Sequence, residues 1–446
     1  MGVFLAVIVA ASFLCGVPSR LRAADEAPLP LAEAVRLAVA RHQDVAKARA
    51  AAEALKGKIQ EVRAQALPDV KLESNVTRWR DPSLLNASGL DKFPEELRSA
   101  LVPSAVNLFD YAVTVKQPLF TQGKVRTALR LASIEAEGAV SEIDRAEQDV
   151  ALAATKAFYG LLWAERYRTL VAETQEQKKL HAAMARTRFQ NGVATEVDVL
   201  RSEVDVANGG PDLVRAGNAI KLARAELNYY LGRPLEAATR LVGDFQETAW
   251  EQPDLAELER DALRRRPEIE RLRIAERSAE TQLSLAKAED RMRLDFSGSY
   301  GLMARLPQNL INPEFTRWTA GLNFTFPLFD GFKRSGMITE ALANQKAARL
   351  DREKFEQQVR LSIQQGYDDL QAAAESIAAA KATVGEAERV LSMMQNNYKY
   401  GAATTLDIVD AETAVSVART NLLRGLHDYS VGRANLRWSL GQTPWE

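Results

Sequence analysis

The chain has 446 residues, 46% of them hydrophobic, so it is long enough for two or three ordinary domains and too apolar to remain disordered. Lys and Arg total 58 against 59 Asp and Glu, which leaves no basic surplus for a phosphate backbone, and no nucleic-acid partner is expected. His42, His181 and His427 stand far apart, and the single cysteine, Cys15, lies in an N-terminal apolar run; this argues against a metal site, a Ser-His-Asp triad and a disulfide framework.

That run, Val3 to Val17, is too short to span a bilayer and has the length of a signal-peptide core. Leu21 and Ala23 fit the positions before a cleavage point, so residues 1–23 are expected to be a signal peptide. Nothing after residue 24 resembles a spanning helix. An exported chain of this kind can enter a membrane only with strands.

The first repeat is expected to cover residues 24–232. Leu31 to Ala66, rich in Ala, Arg, Glu and Lys and stopped before Pro68, predicts a helix. Two strands follow, at about 69–80 and 108–118, separated by a turn-rich loop from Arg80 to Asn107. Pro118-Leu119-Phe120 then introduces a proline-free region, Gly123 to Phe189, which as one helix would extend about 100 Å. A returning helix, Thr195 to Leu231, would reach about 55 Å. A linker at 233–254, marked by Pro234, Gly243 and Pro253, leads to the second repeat at 255–446. There the pattern recurs: helix Leu255 to Asp290, strands at about 293–303 and 317–327, Pro327-Leu328-Phe329, long helix Phe332 to Tyr398, and returning helix Thr404 to Leu440.

The duplication is visible residue by residue. The shift that carries Pro118 onto Pro327 also carries Val150 onto Val359, Gly192 onto Gly401, Thr195 onto Thr404, Asp198 onto Asp407, Glu203 onto Glu412 and Gly232 onto Gly441. Upstream, a different shift pairs Leu31 with Leu255 and Val45 with Ile269, so a loop in the first half is the longer. Two short helices stacked end to end match one long helix, which suggests a rod of paired columns with the strand hairpins at one end. Its seam reads as Ile143, Ala146, Val150, Ala153, Ala157, Leu161 and Ala164 on the long helix, with Val197, Leu200, Val204 and Ala207 on the returning one.

The strands alternate oily and polar residues, clearest at Trp318, Ala320, Leu322, Phe324 and Phe326 against Thr319, Gly321, Asn323 and Thr325. Such strands suit a transmembrane barrel, with Trp79, Phe109, Tyr111, Trp318 and Phe324 available for interfacial belts in outer-membrane lipid. Four strands cannot close a barrel, and an open edge in lipid leaves backbone groups unpaired. Several copies must therefore contribute: eight strands from two copies would be filled by side chains, whereas twelve from three would leave a lumen.

The duplicated Pro-Leu-Phe, the Tyr398-x-x-Gly401-x-x-Thr404-x-x-Asp407-x-x-Asp410-Ala411 segment and the closing Leu436-x-x-x-Leu440-Gly441 together resemble the TolC-type outer-membrane efflux protein family, over residues 29 to 441. The resemblance implies a mostly α fold with a transmembrane β part: a homotrimer with a 12-stranded barrel in the outer membrane of a Gram-negative-type envelope, continued by an α-helical coiled-coil tunnel through the periplasm. It implies an exit duct, not an enzyme, that docks onto a periplasmic adaptor and an inner-membrane pump, with no cofactor and no metal. It also implies that Gly192, Val193, Ala194, Thr195, Gly401, Ala402, Ala403 and Thr404 are adaptor-contact tips. Asp407 and Asp410 match positions ringing the periplasmic entrance, and Tyr398 matches an aromatic that latches it. Ala403 stands where some family members carry a basic residue, which removes one salt-bridge latch. The alternative is an exported periplasmic coiled-coil adaptor or scaffold without its own pore.

Overall fold

The computed structural model describes residues 28–80, 92–97, 105–245, 253–289 and 291–445. The expected signal peptide at 1–23 and most of the loop after the first long strand lie outside the described residues.

The short strand β1 (Leu29–Pro30) leads into α1 (Leu31–Arg41) and α2 (Gln43–Ala64). One continuous helix was expected here. His42 breaks it by adopting extended backbone, accepting a hydrogen bond from the Asp44 amide at 3.2 Å and stacking on Tyr230. Strands β2 (Asp69–Trp79) and β3 (Val106–Phe120) come next, followed by α3 (Lys124–Gln190), a helix of 67 residues, and α4 (Glu196–Tyr230). The pair β4 (Leu241–Val242) lies parallel to β1 and ties the linker back to the start of the chain.

The second repeat runs α5 (Leu255–Arg265), α6 (Pro267–Ala288), β5 (Arg293–Ala304), β6 (Thr316–Thr325), α7 (Lys333–Lys399) and α8 (Thr405–Ser439). The predicted helix from 255 to 290 is likewise divided, because Pro267 disfavours helical backbone at Arg266. The buried Arg266 side chain pairs with Glu268 at 2.8 Å and lies over the Trp438 ring, whose Nε1 donates to Asp149. This contact chain connects α6, α8 and α3 at the middle of the molecule.

Helix α3 packs against α1, α2 and α4 of its own repeat and α6 and α8 of the other, while α7 packs against α5, α6 and α8. The main core surrounds the middle of α3, where Val150, Ala154, Phe158, Leu161 and Leu162 meet Val35, Leu227, Leu231 and Phe245. The matching core of the second repeat joins Val359, Ile363 and Leu370 to Tyr429, Leu436 and Leu440. On α4, the expected seam residues Val197, Leu200 and Val204 point outward and are exposed. The residues buried instead are Val199, Ser202, Gly209 and Ala216. Helix α4 thus carries two stripes, one used within the chain and one left open.

The four long strands form one antiparallel sheet in the order β2-β3-β5-β6. Its register aligns Leu72, Val113, Tyr300 and Trp318 in one cross-strand row and Lys71, Thr114, Ser299 and Thr319 in the next. Since successive residues face opposite sides, one face is oily and the other polar through the middle of the sheet, while on β2 Ser74 and Arg78 fall on the oily side and Trp79 on the other. Leu72 is 78% exposed and Trp318 71% exposed, so nothing among the described residues covers the oily face there. The polar face is knit by Ser299 and Thr319 hydroxyls 2.7 Å apart and by Arg317, whose Nη2 and Nε donate to Asp110 Oδ1 at 2.7 and 2.9 Å. Among the described residues both β2 and β6 are edge strands with one unpaired side.

Candidate functional site

Two regions combine function-bearing residues: the sheet, and the far ends of the two helical hairpins. At the sheet, Trp79 and Phe109 lie at the loop end, Tyr111 and Trp318 lie further in, and Phe324 lies at the helix end opposite Leu294. Trp79, Tyr111, Trp318 and Phe324 are exposed and Phe109 is half-buried. Phe109, Tyr111, Trp318 and Phe324 therefore occupy both ends and the interior of the oily face, whereas the register turns Trp79 to the opposite face, the side of Lys71 and Asp110. Tyr300, directly opposite Trp318 and exposed, belongs to the same group although its position in the alternation did not single it out.

At the hairpin ends the two repeats use the same local chemistry. Gly192 and Gly401 take left-handed backbone with φ of 73° and 76°, which glycine adopts without a Cβ penalty. The Val193 amide donates to the Arg188 carbonyl and the Gly192 amide to Phe189, closing α3; Ala402 to Asn397 and Gly401 to Tyr398 close α7 in the same way. Thr195 and Thr404 then start α4 and α8 as N-caps, each in a capping box with the acid three residues on. Ala194 and Ala403 are half-buried, whereas Gly192, Val193, Thr195, Gly401, Ala402 and Thr404 face outward.

The structure separates the roles of Asp407 and Asp410. Asp407 is held by its own helix: its carboxylate accepts from the Thr404 amide and hydroxyl, both at 2.7 Å. The backbone amide, then the hydroxyl, keep its pKa below the usual carboxylate value, so the cap persists above that range and is lost only as pH falls through the lowered value. Asp198 behaves in the same way toward Thr195. Asp410, one turn further, is exposed.

Tyr398 is buried between the hairpins. Arg188 donates to its carbonyl and places its guanidinium carbon 4.4 Å from the ring centroid, His181 packs 5.5 Å away, and the phenol oxygen lies 3.4 Å from the Thr405 hydroxyl. The Thr405 side chain also adds to the forces holding the Asp198 carboxyl below its usual pKa, across the approach of α8 to α4. Sequence reasoning missed several residues here: His181 and Arg188, which pack on Tyr398 from the other hairpin, Thr405 beside its phenol, the Lys178–Asp205 pair within the first hairpin, and the buried Glu412 of α8. One signal was present. Thr405, Ile408, Ala411, Val415 and Ala418 form the buried stripe of α8, and Glu412 is an acid on that stripe.

Among the described residues no group of three or more His, Cys, Asp or Glu side chains could hold a metal ion, and no helix is long and apolar enough to cross a membrane.

The sequence profile of the family described as "Outer membrane efflux protein" matches residues 34–233 and 258–442, one stretch for each repeat. The alkaline protease secretion protein AprF of Pseudomonas aeruginosa is 22% identical over 342 residues, covering 74% of this chain and 69% of that protein. The outer membrane protein TolC of Escherichia coli is 23% identical over 404 residues, covering 86% of this chain and 76% of that protein. Among solved structures, the Campylobacter jejuni CmeC outer membrane channel superposes with a TM-score of 0.80 at 16% identity, over 92% of this chain and 85% of that one. That last likeness is one of fold.

Proposed function

The chain belongs to the outer membrane efflux protein family, and on that premise we propose that three copies close a 12-stranded barrel and act as the exit duct of an efflux or type I secretion assembly. The protein is an outer-membrane channel with a helical part in the periplasm. One observation carries the reading: a four-stranded sheet with an uncovered oily face and two unpaired edges stands at one end of the long helices. In lipid each unpaired backbone group costs several kcal/mol, and pairing β6 of one copy with β2 of the next removes both edges. The open stripe of Val197, Leu200 and Val204 gives the helices a matching surface for the neighbouring copy.

The hairpin tips then form the periplasmic entrance. Gly192 to Thr195 and Gly401 to Thr404 present the turns that meet a periplasmic adaptor, through which an inner-membrane pump supplies direction and energy. The duct itself performs no catalysis. Three copies of Asp410, with Asp407 behind them, ring the opening with carboxylates that attract cations, and Tyr398 with Arg188 and Thr405 fastens each pair of hairpins. The aromatics at the two ends of the sheet anchor the barrel rims in the lipid interface. The adaptor or scaffold without its own pore is not favoured, because it offers no use for an oily, doubly open sheet.

Purified protein added to a planar bilayer tests this reading. Discrete single-channel steps are expected; their absence, with protein demonstrably inserted, would contradict the channel.

A further inference from the structure

The two repeats differ near their lower ends in a way the duplication does not require. Glu203 of α4 and Glu412 of α8 occupy equivalent positions, but Glu203 pairs with Arg186 at the surface, whereas Glu412 is 5% exposed and its Oε2 has no hydrogen-bond partner. The charges that act on the Glu412 carboxyl come from two other helices, Asp205 of α4 and Lys178 of α3. His181 of α3 feels the same Asp205 and packs 5.5 Å from the Tyr398 ring of α7. On α8 itself Arg419, two turns along, is engaged by Glu388 of α7 at 2.6 Å and lies 3.9 Å from Glu173 of α3.

This surrounding holds one positive charge too few. Lys178 Nζ is 2.7 Å from Asp205 Oδ1, so its charge is already matched across the α3–α4 contact. His181 is 2% exposed with neither ring nitrogen bonded, and burial lowers its pKa, so it supplies no compensating charge. An ionised Glu412 is therefore a second carboxylate beside Asp205 in a buried contact between hairpins.

Next to the cluster, α4 is one continuous helix whose hydrogen-bond ladder is broken at one point. Gly209-Gly210-Pro211 follows Asp205 by one turn, and Pro211 has no N–H for the carbonyl of Ala207. Gln175 of α3 spans the break: its Nε2 donates to the Val206 carbonyl at 2.9 Å, and a Cβ on Gly209 would overlap its Oε1. The equivalent residues of α8, Ala418, Arg419 and Thr420, make an ordinary helix. The segment of α4 beyond the break carries both Asp198 and Asp205 toward the tip.

We propose that Glu412 is a proton-operated lock between the two helical hairpins: protonated, it lets α8 pack on the Lys178–Asp205 pair, and ionised, it drives the tip segment of α4 away about the ladder break at 209–211. The proposal rests on the channel reading only for its consequence, since the tips are then the entrance. Burial, then the Asp205 charge, raise the Glu412 pKa from 4.5 to about 7, with Lys178 opposing. The packed arrangement therefore takes up a proton. Its advantage is full below 4.5, declines by up to about tenfold per pH unit between 4.5 and about 7, and is level above that.

Amide hydrogen exchange on the detergent-solubilised full-length assembly, corrected for intrinsic exchange rates, tests the lock without requiring conduction. In the wild type, protection of residues 196–208 and 405–418 should fall as pH rises through this window. Glu412→Gln should keep high protection at every pH. Asp205→Asn removes the like charge and should move the midpoint to lower pH, a displacement that a purely structural role would not produce. A profile that Glu412→Gln leaves unchanged, or an Asp205→Asn midpoint that stays in place, overturns the lock. Bilayer currents that never appear at any pH contradict the channel and leave the exchange result to decide the lock.

Discussion

Val113→Arg is expected to cost about 2–4 kcal/mol per copy, whereas Ser299→Arg costs about 0.5–1.5 kcal/mol. The two positions are neighbours in the sheet but on opposite faces. Val113 lies in the Leu72–Tyr300–Trp318 row, midway along the strands, and its side chain belongs to the face that lipid covers. Ser299 lies in the row with Lys71, Thr114 and Thr319, where the only loss is its hydroxyl contact with Thr319 and an arginine can reach lumen water. A charge in hydrocarbon must be dragged to the interface or thin the bilayer around it, and the penalty is repeated in each copy sharing the barrel. Recovery of folded oligomer from outer membranes measures the difference. Val113→Arg should yield little or none, and Ser299→Arg should approach the wild type. Equal recovery would mean that the oily face does not meet lipid.

The second large effect separates the two aspartates at the hairpin tips. Asp410→Ala removes an exposed carboxylate and leaves the helix start intact, so cation-over-anion selectivity should fall about tenfold, with little change in thermal stability. Asp407→Ala also dissolves a capping box, as Thr404→Ala does from the other side at a cost of about 1 kcal/mol. Both cap variants should therefore loosen the start of α8 and raise conductance through a less ordered entrance, although Thr404→Ala alters no charge. Reversal potentials in a salt gradient distinguish the two effects. If Asp410→Ala leaves selectivity unchanged, its carboxylates do not line the constriction.

The parts of this fold that the sequence discloses are those governed by repetition and period. A duplication carrying Pro118, Gly192 and Thr195 onto Pro327, Gly401 and Thr404 reveals a two-repeat architecture before any packing is known, and period-two alternation at 318–326 reveals a strand with a lipid-suited face. Pro267 was a local signal for the break at Arg266 that the expectation of one continuous helix passed over, whereas nothing local marks the break at His42; both breaks are held by tertiary contacts. Tyr230 and Trp438, far along the chain, supply the rings that occupy the two side chains. The stripe Val197, Leu200 and Val204 was read as the seam within the chain but is exposed there, since periodicity marks an apolar face without saying what, if anything, in the chain covers it. Asp407 and Asp410 share a helix face in the sequence, but only the geometry shows that one is committed to Thr404. Glu412 is the hardest case: its meaning depends on Lys178 and Asp205, which belong to the other repeat.

The central claim, that this sheet is one third of a shared barrel, is tested most directly by the mass of the particle extracted from membranes, measured by light scattering with the bound detergent subtracted. A particle of three protomers that appears only when detergent is present is the predicted result. One or two protomers released without detergent would contradict it, because the open edges and the oily face would then have to be satisfied in water.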